Sequence, residues 1–542
     1  MFRDRYKKII KILLFVFLLS QQIFSQNVDS LFNLLVTLRV EDNNIQSNQF
    51  TQDEIIKCGF PLICSIKNNY DKFNQLQVNI IETILSRPSM PYSIVSPSGF
   101  FRIHYDTVGV NKVMYNLNDF AKALDSAYNF EVNILGFDPP PSDNGKGGDN
   151  KYDVYISNLG RYYGWTVWED AVGENIYMTY IEVDNDFTGF NTEGINAARV
   201  TAAHEFHHAI QIGSYILREE LDGDITDLFY YEITSTSMEE FVYPDVNDYI
   251  HYVKDYFNYP NKSLYSYSGY ELSIFNIFLK ERFGIGIIRE IWELIKNYRA
   301  IEAIALAISA RGSSLRYELN LFGGWVYFTN TRAQAGKYFY EAKDYPLVTP
   351  TTTIDYLPPQ KTVNISSQPI SNNFILFRIG TSDTLMAVLA NSDIQNGIRH
   401  PNSRLSFDYS LHYDSYYYGI FSSTNNYVLS ELKIFNDEIL SYPAYDSKVV
   451  DYAFPQPFIY EKNSFLFLPA PDNLSNFADV NVYDIGMNLI YSSELPIIQG
   501  EKLTVQWNGK DEQGNKLSSG IYIYIVKTKE NQTKGKIVIF NE

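Results

Sequence analysis

Apolar and polar positions along this chain follow two periods, and the change between them divides it. Val28 to Glu41 mixes polar and apolar residues in a helical-looking way. Phe100-Phe101-Arg102-Ile103-His104-Tyr105 reads as a strand, and from Asn118 to Phe130 the residues Phe120, Leu124 and Tyr128 recur at the spacing of one helix face. Pro139 to Gly148 is a run of turn formers that leads into a strand at Tyr152 to Ile156, and a second strand is predicted at Ile176 to Val183. Helical signals dominate from Asn196 to about Ala310, with short apolar intervals over Leu272 to Leu279 and Ile287 to Ile295. Between Tyr345 and Pro369 the composition shifts to Pro, Thr and Ser, a linker signature. Beyond it, alternating segments rich in Tyr, Phe, Val and Ile (Phe374 to Ile379, Leu405 to Tyr418, Tyr427 to Ile434) read as antiparallel β structure. From about Phe454 that pattern repeats, ending in Leu503 to Trp507, Ile521 to Val526 and Lys536 to Phe540, as an immunoglobulin-like sandwich would.

The expected architecture is therefore multidomain: an N-terminal segment or propeptide over 26–95, an α+β domain over 96–345, a β-rich domain over 346–450 and an immunoglobulin-like C-terminal domain over 451–542. Its 542 residues exceed what one core can organise, and 45% hydrophobic with 16% aromatic residues argues against wholesale disorder. A formal charge of -19, with no evident basic patch, argues against nucleic acid or anionic membrane as partner.

Residues 1–25 read as a signal peptide: Arg3, Arg5, Lys7, Lys8 and Lys11, then an apolar run from Ile12 to Leu19, then a polar stretch ending at Ser25. That run is too short to span a bilayer, no later segment reaches the roughly 20 apolar residues required, and no Cys follows it to carry a lipid. The expectation is a secreted or cell-surface protein without a transmembrane segment in its mature form. In an oxidising compartment, Cys58 and Cys64, the only cysteines, are expected to form a small-loop disulfide.

Three of the seven histidines fall within His204-Glu205-Phe206-His207-His208, after Ala197 to Ala203, a run without Gly or Pro that favours a helix. On a helix, 204 and 208 lie one turn apart on one face, so both imidazoles can reach one metal ion. Zinc accepts neutral imidazole and leaves a position for water, and Glu205 stands where it can take that water's proton. The alternative is a helix whose histidines merely pack. His207 is expected to face away from the metal, toward solvent or neighbouring helices. Asp184-Asn185-Asp186 and Asp143 to Asp153 have the oxygen-rich composition that suits calcium, but neither has EF-hand spacing, and solvated loops are the favoured reading.

These residues resemble the zincin metallopeptidases, which carry His-Glu-x-x-His on the active-site helix. The metzincin extension needs Gly at 211 and His at 214, where this chain has Gln211 and Ser214. The gluzincin branch takes a Glu from a following helix as third ligand. That resemblance implies Glu232 within Phe229 to Glu240, with Glu239 as the alternative ligand or as a carboxylate orienting a histidine. It also implies an oxyanion donor downstream, for which His251, Tyr267 and Tyr270 are candidates.

A second resemblance lies in Phe454-Pro455-Gln456-Pro457-Phe458, Val482 to Gly486, Trp507 to Gly514 and Ser519-Gly520-Ile521-Tyr522. These are similar to the C-terminal sorting domain of type IX secretion cargo, although Gln456 stands where that family has Asn. Trp-Asn-Gly-Lys-Asp and Ser-Gly-Ile-Tyr also resemble a flagellar-hook-cap-like immunoglobulin module. Either resemblance implies an addressing or anchoring role, with the type IX machinery as partner in the first case. Together they imply a zincin-like domain with Zn2+ on His204, His208 and Glu232, Glu205 as general base, and protein or peptide substrates. The competing reading is a cell-surface adhesion or carbohydrate-binding protein on a zincin scaffold. A third is hydrolysis of some other bond.

Overall fold

The structure, a computed structural model, describes residues 28–541 apart from 42–49, 52–53, 217–225, 357–359, 369, 380–385, 392–404, 413–415, 424–426, 436–447, 450–451, 461–462, 464, 473–476 and 500–501, with side chains undescribed over most of 356–450. The proposed signal peptide lies outside the described residues. Two compact units emerge: residues 1–303 with 328–347, and residues 304–327 with 348–542.

The first unit is built on a six-stranded mixed sheet. Its N-terminal layer comprises helix α1 (Val28–Val36), strand β1 (Ile56–Cys58), helix α2 (Phe60–Lys67) and helix α3 (Gln75–Ile84). Asn74 caps α3: its side chain accepts from the Leu76 and Gln77 amides, and Gln77 reciprocates to the Asn74 amide. Strands β2 (Tyr92–Val95) and β3 (Phe101–Tyr105) follow, then helix α4 (Leu117–Tyr128) and strands β4 (Tyr152–Ser157), β5 (Tyr162–Gly173) and β6 (Ile176–Asp184). The spatial order is β1-β5-β6-β4-β3-β2. Strand β1 runs parallel to β5, with Cys58 opposite Gly164.

Alternation along β5 assigns its two faces. Trp165 and Val167 join Leu31, Leu35, Ile63, Ile66 and Ile81 in the core beneath the N-terminal helices. Gly164 and Thr166 point the other way, onto helix α5 (Gly194–Ser214). This helix lacks an amphipathic stripe because sheet and helices cover it on every side: all residues from Val200 to Gly213 are buried. Helix α6 (Leu228–Val242) packs along α5, and α7 (Ser273–Phe283) and α8 (Gly286–Ile295) pack behind it.

In the second unit, helix α9 (Leu315–Tyr327) packs on a sheet in which Thr352–Tyr356 runs parallel to Ser371–Ile379, itself paired with Tyr416–Ser423 and then Leu405–His412. The Asn372 amide donates to the Leu319 carbonyl at 2.9 Å, tying that sheet to the helix. Gln360–Ser367, Met386–Asn391 and Tyr427–Phe435 form a separate three-stranded sheet. The remaining strands, from Lys448–Val449 to Gln532–Phe540, form an eight-stranded arrangement. Within it Leu489–Gln499 pairs first with Phe477–Tyr483 and then switches to Lys502–Trp507, closing both faces on one core around Trp507, Val480, Val505 and Ile537. Among the described residues no helix is long and apolar enough to cross a membrane.

Candidate metal centre

Helix α5 carries His204 and His208 one turn apart, with Glu205 next to the first, and α6 brings Glu232 against them. The His204 Nε2 and His208 Nε2 atoms are 3.2 Å apart, and the Glu232 carboxylate oxygens lie 3.2 Å from the first and 3.4 Å from the second. Gly269 is what allows α6 so close: its φ is +120°, and a Cβ there would lie 2.3 Å from the Phe229 carbonyl and 2.5 Å from Glu232 Cβ.

Both ring orientations are fixed from behind. His204 Nδ1 lies 2.7 Å from Glu239 Oε1, so it must donate, which leaves Nε2 as the lone-pair nitrogen. Gln211 spends its amide N–H on the Tyr231 carbonyl at 3.2 Å, so its oxygen, 2.8 Å from His208 Nδ1, accepts from that ring. Two lone-pair nitrogens and a carboxylate therefore converge on one point. Unless a cation sits among them, such acceptors repel. Both Glu232 oxygens and Glu205 Oε1 are fully buried without a hydrogen-bond donor, a situation uncommon in folded proteins. In the metal-free protein a proton partly serves. Burial alone would lower the His204 imidazole, but Glu232 and Glu239 outweigh it and raise its pKa to about 9. Burial would raise Glu232, but the two imidazoles outweigh it and take it down to about 2. The donor set and its convergence, with the Glu239 carboxylate and the Gln211 amide behind the two imidazoles, are of the kind that a tetrahedral zinc ion would accept.

A longer chain of charge lies behind His204. Glu239 Oε2 accepts from Lys57 Nζ at 2.7 Å, Lys57 also pairs with Asp248, and Asp248 Oδ1 accepts from the Tyr163 hydroxyl at 3.0 Å. Burial would lower the Lys57 ammonium, but Asp248 and Glu239 hold it well above its usual range. Glu205 lies opposite. Its Oε2 accepts from Thr166 Oγ1 at 2.7 Å, and Gly164 makes room for it, since a Cβ there would meet Glu205 Cγ at 2.7 Å. Burial raises the Glu205 carboxyl above its ordinary value.

Of the residues singled out in the sequence, His204, His208, Glu232 and Glu205 come together here. Glu239 sits behind His204. His207 points away and is buried, its Nδ1 2.8 Å from Glu131 Oε2. Tyr270 is the downstream candidate beside the site, its ring 6.2 Å from that of His204. His251 is exposed, and the Tyr267 hydroxyl donates to the Tyr259 carbonyl. The acidic turns are occupied by protein donors: Asp184 accepts from the Leu159, Asp186 and Phe187 amides, and Asp143 and Asp153 pair with Arg87.

The disulfide expectation is corrected: Cys58 and Cys64 are both free and buried. The strand end aims Cys58 Sγ at the histidines, within 4.8 Å of all three metal-ligand atoms, while Cys64 lies inside α2. Neither Cys58 nor Lys57 was identified as a site residue from the sequence. Gln211 carried a usable signal, three positions after His208 on the same helix.

Comparison with known proteins adds two family matches. Residues 106–300, less than half of the chain, match a family of unknown function, DUF6055, and residues 463–532 match the FlgD Ig-like domain. The second match places an immunoglobulin-like domain near the C-terminus, so the chain is multidomain, with a helical α+β N-terminal part and a β-rich C-terminal part. No curated protein matches. Among solved structures, the chain is similar over 22% of its length to PorZ, a surface component of the type-IX secretion system of Porphyromonas gingivalis, at 20% identity and TM-score 0.14. It is similar over 36% of its length to dimeric latent PorU from the same organism, at 15% identity and TM-score 0.14. It spans 15% and 19% of those two chains.

Proposed function

We propose that this chain is an exported zinc-dependent peptidase. The observation that carries the reading is the convergence of His204 Nε2, His208 Nε2 and a donor-less, fully buried Glu232 on one point, with Glu205 beside it. Zinc held by these three residues would supply a Lewis acid that lowers the pKa of a water and polarises a carbonyl. Glu205 takes the water's proton and returns it to the leaving amine, and its raised pKa suits both halves of that transfer. Thr166 holds the carboxylate in place, while Glu239 and Gln211 keep each imidazole in the tautomer that offers Nε2. Tyr270 is the candidate donor to the oxyanion.

The N-terminal signal pattern supports export. The sorting-domain resemblance of Phe454 to Tyr522 supports delivery by type IX machinery to the cell surface or medium, and the FlgD Ig-like match fits a small β-sandwich serving as an address. The test compares the purified protein with Glu205→Gln. The expected result is one zinc per chain in both, with chelator-sensitive casein hydrolysis only where Glu205 is present. Equal hydrolysis by both proteins would remove Glu205 from its assigned role.

A further inference from the structure

The metal-ligand cluster contains a fourth group that the reaction does not need. Cys58 Sγ lies with His204, His208 and Glu232 so that one ligand atom of each falls within 4.8 Å of the others, and all four residues are buried. Both Glu232 oxygens lack a donor in that enclosure, which independently marks it as a cation site. A catalytic zinc site keeps one position open for water, whereas a set of four protein ligands is closed.

The segment that brings the thiol also covers the approach. Strand β1 lies on the edge of the sheet beside β5, the strand whose Gly164 presses on Glu205. The Ile56 amide donates to the Arg161 carbonyl at 2.8 Å and the Gly59 amide to the Gly164 carbonyl at 3.0 Å. The Gly164 carbonyl on β5 and the Arg161 carbonyl just before it are groups an extended peptide would use to add itself to that edge. The neighbouring residues seal the arrangement: Phe60 stacks on His208 with ring centroids 4.1 Å apart, and Lys57 neutralises Glu239 behind His204. Glu205 itself is 0% exposed, so no substrate reaches it in this conformation.

We infer that residues 56–60 are a built-in latency element: Cys58 supplies the fourth metal ligand in place of water, and β1 occupies the edge where a substrate strand would lie. On coordination the thiol gives its proton to solvent and binds as thiolate. Withdrawal of the strand frees the fourth position and the β5 edge together, so hydrolysis by the full chain comes from the fraction of molecules in which the strand has withdrawn, and loss of the Cys58–metal bond enlarges that fraction. The inference rests on the proposed metal site, and it concerns how that site is kept shut.

Cobalt(II) tests it, because a thiolate ligand produces a sulfur-to-cobalt charge-transfer band that nitrogen and oxygen ligands do not. The full chain, Cys58→Ser and Cys64→Ser are loaded with cobalt(II), and their metal content, spectra and casein hydrolysis are compared. The expected result is one ion in each, a charge-transfer band in the parent and Cys64→Ser that is lost in Cys58→Ser, and faster hydrolysis by Cys58→Ser than by the parent. One ion per chain with no band in the parent would overturn the inference and leave the metal site standing. A band whose loss brings no gain in hydrolysis would overturn latency in favour of a closed structural site. Failure of all three proteins to bind cobalt would sink the underlying metal site itself. Should Cys58→Ser fail to fold, the parent spectrum alone still decides whether the thiolate is a ligand.

Discussion

Protonation of His204 and Glu232 makes the centre respond to pH in a direction that can be worked out. In the metal-free protein the His204 pKa, raised from 6.5 to about 9, gives stability that is complete below 6.5 and is lost as pH rises through about 9. The Glu232 pKa, lowered from 4.5 to about 2, gives stability that is present above 4.5 and is lost as pH falls through about 2. Denaturant unfolding of the metal-free chain should show this pair contributing most between about pH 4.5 and 6.5, with a decline toward pH 9 that Phe substitution of His204 flattens. Zinc bound as proposed would displace the His204 proton at pH 7, so titration calorimetry in two buffers should report proton release, and apparent affinity should climb from pH 7 toward 9. Affinity that does not change over that range would contradict the assignment. Glu239→Gln keeps a hydrogen-bond acceptor behind His204 but loses the charge, and zinc affinity should fall about 10-fold or more.

At this scale the sequence was informative where geometry is local. His204, Glu205 and His208 are placed by one helical turn, whereas Glu232 was reached through the gluzincin resemblance, which takes a Glu from the following helix. Lys57, Cys58 and Asp248 reach the same site through tertiary packing alone, and no local spacing relates them to the histidines. The expected disulfide failed for the same reason: closeness in sequence says nothing of where a strand end and a helix face point.

Among the elements, strand β5 leaves no room for a side chain at Gly164, where it meets α5. Gly164→Ala would set a Cβ 2.7 Å from Glu205 Cγ and 2.8 Å from Thr201 Cγ2. The expected cost is about 1–3 kcal/mol of stability, with Glu205 pushed from its place. Hydrolysis should therefore drop while zinc content, held by the other side of the site, stays at one per chain; loss of zinc instead would mean that β5 supports the ligands directly. The strands at Phe101–Tyr105, Tyr152–Ser157 and Ile176–Asp184 were legible from their β-branched and aromatic runs. Strand β5 was not, because Tyr162 to Trp168 is buried on both faces and shows no alternation. Strand β1, with three residues, is too short to carry a period.

For the whole molecule, the division into two units predicts separable responses. On the proposed reading zinc would bind only the folded form of the first unit, so at about 100 times its Kd it should add about 2.7 kcal/mol there and nothing to the second. In scanning calorimetry a chelator should lower the transition of the first unit and leave that of the second, with its Trp507 core, in place. An equal shift of both would contradict an ion confined to one unit. A multidomain chain of α+β followed by β structure was legible from the change of period near the Pro- and Thr-rich stretch. The burial of the site beneath its own N-terminal segment was not, since it depends on how that segment pairs with β5.

The most direct measurement is the metal content of the purified chain after equilibration with zinc and removal of the excess, beside that of a His204→Ala, His208→Ala double variant. One zinc per chain in the parent and none in a folded double variant is the predicted result. A parent that retains no zinc, or a double variant that retains as much as the parent, would contradict it.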